Sequence, residues 1–466
     1  MTDAPLERKL GLFPVTNIVV ANMIGAGIFT TSGLLMQDLH DPLLMLVLWF
    51  AGGVVALCGA LSYAELGAAM PEAGGEYYFL SRMYHPLVGF LSGWVSLVAG
   101  FSAPIAASAI GCSEYVFRAF PELSAALPGP EPEATLWGKR LISLIVIAAF
   151  TAVHMRGIAF GARVQNGLTL LKVLLIGSLI VAGFAAGRGD WTHLVPAGGS
   201  SSSAVSWQTI GLCLTWIMFA YSGWNAATYI GSEVRNPTRN LPRSLLVGTA
   251  VVTAIYLLLN LFYVYAIEPQ SMEGVISIAG LAVGRAFGKA PEFVVSVLIA
   301  FAIFSSLSAY IILGPRVYYA MARDRVFFRG LSAVEPVSRA PARAILLQGA
   351  LASLLVLTGS FDQILTYMGF SLGIFPILAV GSLFRLRQSG RSILHLPGYP
   401  VVPLIYVGAG TVMLVLSYLE RPLESSLAIG TVLTGIPVFV WFRRQRSRRG
   451  QGGNSPNISR DRAPDI

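Results

Sequence analysis

The chain has 466 residues, of which 55% are hydrophobic and only 12% are charged. Soluble domains usually carry about 25% charged residues, so this composition excludes a soluble protein and indicates an integral membrane protein. The formal net charge of +9 could suggest a nucleic-acid partner, but we expect none because the basic residues follow the membrane topology, as shown below.

Twelve apolar segments approach or exceed the roughly 20 residues that a helix needs to cross the hydrocarbon core. The first has no small-residue cleavage site, so we predict a transmembrane helix there and not a signal peptide. The predicted spans are, in chain order, 14–36, 43–69, 87–113, 139–154, 164–186, 206–231, 244–267, 292–320, 342–359, 363–384, 399–418 and 422–442.

The basic residues predict the orientation of these spans. With the amino terminus in the cytoplasm, 24 Lys and Arg residues lie on the inner side and 7 on the outer side, and Lys172 within a span completes the 32. By the positive-inside rule, both termini are cytoplasmic, with a short inner segment at 1–13 and a basic, disordered tail at 443–466. We expect this tail to be a cytoplasmic stop signal, with contact to anionic lipid as the alternative.

The first span carries two glycines at its middle, Gly25 and Gly27. A glycine in a helix interior costs about 1 kcal/mol relative to alanine, so this helix is predicted to unwind here. Free N–H groups of the outer half would suit a carboxylate, and free carbonyls of the inner half would suit an ammonium group. One break can therefore hold both ends of a zwitterion. The alternative is that these glycines only allow close helix packing.

The sixth span contains a similar weak point at Ser222-Gly223. Paired breaks in corresponding halves of a membrane protein indicate a transporter's substrate site. They fit two inverted five-helix repeats, 14–186 and 206–384, followed by two added helices at 399–442. The predicted substrate-binding residues are Ile24, Gly25, Ala26, Gly27, Ile28, Phe219, Ala220, Ser222 and Gly223. The aromatic residues predicted as gates, with core packing as the alternative, are Phe219, Tyr221 and Trp224.

Several motifs resemble those of the amino acid–polyamine–organocation (APC) superfamily, and the chain looks closest to its L-amino acid transporter group. The matching stretches are Gly25-Ala26-Gly27-Ile28-Phe29, Ser62-Tyr63-Ala64-Glu65-Leu66-Gly67 with Gly74-Gly75-Glu76-Tyr77, Phe219-Ala220-Tyr221-Ser222-Gly223-Trp224-Asn225 with Asn236-Pro237, and Tyr319-Ala320-Met321-Ala322-Arg323-Asp324. The resemblance implies an all-α, leucine-transporter-like fold with helices one and six unwound at mid-membrane. It also implies transport of amino acids by alternating access.

Lys172 is the only cation deep within a predicted span. Such a residue is costly unless it is paired or faces a cavity, so it is predicted to be functional and not a lysine that snorkels to the interface. In the resembling family, a lysine at this place stands where other members bind sodium and bonds to backbone at the first break. The resemblance therefore implies sodium-independent transport, with proton coupling and exchange left open. We expect no ion site at Ser305, Ser306 and Ser308, since serines in membrane helices more often bond their own backbone.

Charged residues at the inner ends of helices two and six are candidates for a cytoplasmic gate. They are Glu65, Glu233 and Arg235, with solvated interface charge as the alternative. We find no other acid near the presumed pocket, which favours a neutral substrate over a cationic one. The predicted partners are therefore a small amino acid and the lipid bilayer of the cell membrane, with no obligate partner subunit.

Other functions are less well supported by the sequence. A membrane enzyme needs clustered nucleophiles, metal ligands or acid–base pairs, and the five histidines are scattered, so we predict no enzyme, metal or cofactor. The three cysteines are scattered too, which indicates buried packing and no disulfide framework. The remaining alternatives are a carrier of cationic amino acids or polyamines, and an amino acid sensor that does not transport.

Overall fold

The computed structural model describes residues 8, 10–130, 132–155, 158–195, 205–328 and 342–451, and these residues form helices and loops without a β-strand. The α-helices are α1 (Leu12–Met23), α2 (Ala26–Leu39), α3 (Pro42–Ala69), α4 (Glu76–Met83), α5 (Pro86–Val95), α6 (Ser102–Ala119), α7 (Glu122–Ala126), α8 (Glu133–Met155), α9 (Ile158–Ala185), α10 (Trp207–Ala220), α11 (Ala226–Tyr229), α12 (Pro237–Ala266), α13 (Pro269–Met272), α14 (Ile278–Phe287), α15 (Lys289–Arg323), α16 (Ala342–Thr358), α17 (Phe361–Gln388), α18 (Val401–Glu420) and α19 (Pro422–Gln451).

Nine helical segments in the described chain are long and apolar enough to cross a membrane, counting α1 with α2 and α5 with α6 as single segments. Four further apolar helices are shorter, and three of them, in α9, α10 and α16, coincide with predicted spans. This all-helical, membrane-spanning architecture agrees with the predicted fold class.

Two of the predicted spans consist of separate helices. α1 ends at Met23 and α2 begins at Ala26, so the non-helical residues Ile24 and Gly25 connect them. α10 ends at Ala220, and five residues in turn conformation lead to the short helix α11. Gly223, in this second connection, has φ +96°, a conformation that side chains with a Cβ rarely adopt.

Long helices pack around these two connections. α12 packs against α1 and α3, and α15 packs against α6 and α1. The buried apolar side chains of these helices belong to one continuous core. The two connections are thus enclosed by protein on several sides, which is where non-helical backbone is tolerated in a membrane protein.

Several predicted boundaries differ from the structure because hydropathy detects only the apolar part of a helix. α8 begins six residues before the predicted span at 139, and α12 begins seven before 244. α19 continues to Gln451, so residues 443–451 of the predicted disordered tail are helical. Residues 452–466 of that tail, residues 1–7 and 9 of the predicted inner segment, and the side chain of Ser305 lie outside the described residues.

Candidate functional site

A cavity of about 110 Å³ lies beside the connection between α10 and α11. Three of the predicted binding residues, Phe219, Ser222 and Gly223, line it, together with Asn22 of α1. The predicted residues that are not among its lining residues are Ile24, Gly25, Ala26, Gly27, Ile28 and Ala220. In this conformation the second connection therefore faces the cavity, and the first is packed behind it.

Lys172 lies at the first connection and is completely buried. Its ammonium group donates to the carbonyl oxygens of Ala21, at 3.0 Å, and Ile24, and lies 3.3 Å from Oγ of Ser306. The last carbonyls of a helix have no partner within the helix, so a cation placed among them satisfies groups that burial would otherwise leave unpaired. Lys172 thus ties α9 to the end of α1.

Two hydroxyl groups complete this arrangement. Ser306 of α15 donates to the Ile24 carbonyl at 2.9 Å, so it bonds to the first connection and not to its own helix, contrary to our expectation. The Tyr256 hydroxyl of α12 lies 2.5 Å from the Met23 carbonyl and 2.9 Å from that of Ala220. A hydroxyl has one proton to donate, so these carbonyls, one from each interrupted helix, share it.

The two interrupted helices are in direct contact. A Cβ added to Gly27 would lie 2.6 Å from Cα of Ala220, and one added to Gly223 would lie 2.7 Å from Cβ of Asn22. By contrast, a Cβ added to Gly25 would approach nothing closer than Ser306 Oγ at 3.3 Å. Gly27 and Gly223 therefore permit contacts that any larger residue would prevent.

The three aromatic residues predicted as gates occupy different environments. Phe219 and Trp224 line the cavity, and the Trp224 ring packs edge-on against Tyr63 with a centroid distance of 4.7 Å. Tyr221 does not line the cavity. It is fully buried and donates to the Trp49 carbonyl at 3.1 Å, which is the core-packing alternative.

Glu76 also lines the cavity, so our expectation of no further acid near the pocket is wrong. Its side chain is 3% exposed, and its carboxylate accepts hydrogen bonds from Tyr63 at 2.8 Å, Asn225 at 2.5 Å and the hydroxyl of Tyr229. Among the described residues no cation pairs with it. Glu76 thus brings an acidic side chain, held by neutral donors, to the wall of the cavity.

The predicted gate residues find partners that the sequence did not indicate. Glu65, whose side chain is 1% exposed, receives two hydrogen bonds from Arg387 at 2.7 and 2.6 Å. Glu233 pairs with Arg316 at 3.0 Å. Arg235 is exposed and forms no side-chain ion pair within the described part of the chain, although its backbone N–H donates to Leu10.

A further contact on this side joins α4 to the end of α15. The Tyr77 hydroxyl donates to Asp324 at 2.5 Å. Burial, and then the bond to the Asp324 carboxylate, raise the pKa of Tyr77, so it stays protonated and remains a donor. This contact ties α4, which begins at Glu76, to the end of α15.

Sequence reasoning missed an irregular segment that also lines the cavity. Residues Ser96–Phe101 form a π-helix between α5 and α6, and the Ser102 hydroxyl donates to the Leu97 carbonyl at 2.7 Å. Ser96, Gly100 and Phe101 line the cavity. π-Helical turns occur often at functional sites. Two serines and a glycine within seven residues are a weak signal of such a segment.

Comparison with known families places this site in context. A sequence model of the amino acid permease family matches residues 10–439, which is nearly the whole chain. The chain belongs to the amino acid permease family of the APC superfamily. The family predicted from the motifs is therefore confirmed, and it is a family of transporters.

Individual relatives are similar along most of their length. The chain is 29% identical to the serine/threonine exchanger SteT of Bacillus subtilis (strain 168), over 96% of this chain and 99% of that protein. It is 28% identical to the Asc-type amino acid transporter 1 of Mus musculus and 27% identical to the large neutral amino acids transporter small subunit 2 of the same species, in each case over 93% of this chain and 81% of the relative. These relatives include transporters of the group predicted from the sequence.

Proposed function

We propose that this protein transports L-amino acids with neutral side chains by sodium-independent alternating access. Support comes from the family, from relatives named as transporters or exchangers of amino acids, and from the interrupted helices beside a cavity. Uniport, exchange and proton coupling are all compatible with this proposal. In a conformation in which the first connection also reaches the cavity, the substrate's carboxylate would meet the N–H groups that begin α2, and its ammonium would meet carbonyls near the breaks.

The proposed architecture has twelve membrane helices, with α1–α2 and α10–α11 as helices one and six, unwound at mid-membrane. Residues 14–186 and 206–384 would form the two inverted repeats, and α18 and α19 the two added helices. Two helix pairs, α3–α12 and α6–α15, pack beside the breaks. In each pair, the two helices would occupy equivalent positions in the two repeats. Both termini would be cytoplasmic in the cell membrane, as the basic residues indicate.

The observation that carries sodium independence is the position of Lys172. A sodium ion at this break would be held by backbone carbonyls and hydroxyl groups. The ammonium of Lys172 already occupies the carbonyls of Ala21 and Ile24 and lies beside Ser306. We therefore assign to Lys172 the role of a fixed cation that shapes the break.

Uptake and counterflow in proteoliposomes test this proposal. A panel of labelled amino acids is supplied with and without sodium and with and without a pH gradient. We expect uptake of neutral amino acids that does not change when sodium is removed. Lys172→Ala should reduce uptake at least about tenfold, because buried carbonyls lose a charged donor. The matched control Lys289→Ala removes an exposed lysine and should leave uptake unchanged. Sodium-dependent uptake, or full activity of Lys172→Ala, would contradict the assignment.

We also propose that no partner subunit is obligatory. One relative is named as the small subunit of a transporter, so the question is open to experiment. A disulfide would need an accessible cysteine, whereas Cys58, Cys112 and Cys213 are all buried here. Uptake by the purified single polypeptide would support this proposal.

A second candidate is transport of cationic amino acids, because Glu76 lines the cavity. A carboxylate without a cationic partner among the described residues can attract a basic side chain. Uptake of labelled L-lysine and putrescine, compared with L-serine and L-leucine, separates the two candidates. If the substrate is cationic, Glu76→Gln should abolish L-lysine uptake and spare any uptake of neutral amino acids. If the substrate is neutral, L-lysine should not be taken up by either protein.

A further inference from the structure

A second cavity, of about 390 Å³, lies on the other side of α10 from the first. Trp216 of α10 forms part of its wall, and the Trp216 indole donates to the Thr366 hydroxyl of α17 at 3.0 Å. The neighbouring residue Thr215 lines the first cavity instead, and it packs against Gly369 of α17. Among the described residues none lines both cavities, so the contact between α10 and α17 separates two distinct spaces.

The charges on the wall of the second cavity balance. The six charged lining residues are Asp38, Glu114, Asp362, Lys139, Arg140 and Arg421. Three acids and three bases leave no net formal charge, so the cavity favours neither a simple anion nor a simple cation. A ligand that carries one charge of each sign has the same balance.

Four of these six side chains already have partners. Lys139 pairs with Glu114 at 2.8 Å, Arg140 lies over the Trp137 ring at 4.9 Å, and Asp362 accepts from Ser360 at 2.5 Å. These contacts hold the charges in place and partly compensate them. They leave two charged groups on the wall to be accounted for.

The remaining two are Asp38, near the end of α2, and Arg421, between α18 and α19. Both line the cavity, and among the described residues neither side chain has a hydrogen bond or an ion pair. An acid and a base thus face the same cavity without pairing with each other. A small zwitterion between them could pair with both.

We propose that the second cavity is an additional binding site for an α-amino acid, with its ammonium group on Asp38 and its carboxylate on Arg421. This inference rests on the proposed transport of neutral amino acids, and the cavity would be the site first reached from the outer side. Charge-assisted bonds to both ends of the ligand provide the specificity. The six charged residues lie at the helix ends that the positive-inside rule places outside.

The rest of the wall selects the side chain of the ligand. Apolar groups from six helices line the cavity, among them Leu34, Ile110, Leu136 and Val356. The volume lies within the usual range for small-molecule sites. With Asp38 and Arg421 engaged by the two ends of the amino acid, and the other four charged groups held by contacts within the protein, an uncharged side chain matches the remaining wall.

Equilibrium binding to the full-length protein in nanodiscs tests this site. Labelled L-serine and L-leucine serve as probes, and the number of sites per chain is measured by scintillation proximity. We expect two sites per chain in the wild type and one in Arg421→Ala and in Asp38→Asn. Arg421→Lys keeps the charge and should retain two sites. Arg188→Ala, which removes an exposed arginine that does not line the cavity, is the matched control and should also retain two.

Uptake kinetics provide an independent readout. Loss of a charge-assisted bond in a binding step should raise KM about tenfold in Arg421→Ala and change kcat less than about twofold. A wild type that takes up one of these amino acids and binds it at a single site would overturn this inference but leave the proposed function intact. The same holds if Arg421→Ala keeps both sites and an unchanged KM. If the wild type takes up no labelled amino acid, the proposed function fails, and this inference fails with it.

Discussion

The two interrupted helices differ in how their exposed backbone groups are satisfied. At the first break, a buried lysine, a serine and a tyrosine from three other helices engage the carbonyls of Ala21, Met23 and Ile24. At the second break, Ser222 and Gly223 line a cavity, and Asn225 bonds to Glu76. The first break is fixed by side chains from other helices, whereas the second forms a wall of the space that the substrate would occupy.

This difference indicates that the two breaks have different roles. Backbone that is bound by neighbouring helices resists rearrangement, since each buried carbonyl would lose a partner. Backbone that faces a cavity can exchange partners with a ligand. We therefore expect the second break to respond more strongly to small changes in side-chain volume, and the first to respond to the loss of its hydrogen-bond donors.

The largest effect is expected from Gly223→Ala. The positive φ of Gly223 strains any residue with a Cβ, and the new Cβ would lie 2.7 Å from that of Asn22. Strain costs about 1–3 kcal/mol and overpacking a similar amount, so uptake in proteoliposomes should fall by roughly 100-fold. Gly177→Ala, which adds a Cβ in α9 where no atom lies within 4 Å, is the control and should retain most of the uptake. Wild-type uptake by Gly223→Ala would show that the second break does not need this conformation.

A smaller effect, of roughly 30-fold, is expected from Gly27→Ala. Its Cβ would meet the backbone of Ala220 at 2.6 Å and force the two interrupted helices apart, at a cost of about 1–3 kcal/mol. Gly25→Ala is a matched control only two residues away, where the added Cβ meets the movable Ser306 hydroxyl at 3.3 Å. Uptake should therefore separate the two variants clearly. Equal losses in both would mean that loss of backbone freedom at the first break, and not helix contact, determines activity.

Much of this arrangement could be predicted from the sequence. Gly25 and Gly223 mark the breaks because glycine weakens a helix locally, and the motif positions were enough to predict the family. The burial of Lys172 followed from its place in an apolar span. These are local signals, and each depends on residues close together in the chain.

Other parts depend on contacts between distant segments. Glu76 follows Gly74 and Gly75, whose φ values of +113° and +53° let the chain turn so that the carboxylate reaches Asn225 and Tyr229. A hydropathy profile identifies Glu76 only as a polar residue between two apolar spans. The apolar run that follows Glu76 was the one available sign of burial. Likewise, the pairing of Glu65 with Arg387, 322 positions away, leaves no trace in a single sequence.

The smallest effect of the three is expected from Tyr256→Phe, which removes a hydroxyl but keeps the ring. The buried carbonyls of Met23 and Ala220 then lose the donor that they share, at a cost of about 1–3 kcal/mol. Since both interrupted helices lose the same donor, uptake should fall about tenfold, and the variant should remain folded because the ring still packs against Trp49.

Tyr263→Phe is the matched control for this variant. Tyr263 is equally buried in the same helix, α12. Its hydroxyl lies 3.4 Å from the carbonyl of Ile28 in α2, which is a weaker contact than those of Tyr256. Its uptake should fall less than about threefold, because one long hydrogen bond is lost and neither connection is touched. If both variants lost uptake equally, the Tyr256 hydroxyl would have no special role. The two breaks would then be coupled through helix packing alone, at Gly27 and Ala220.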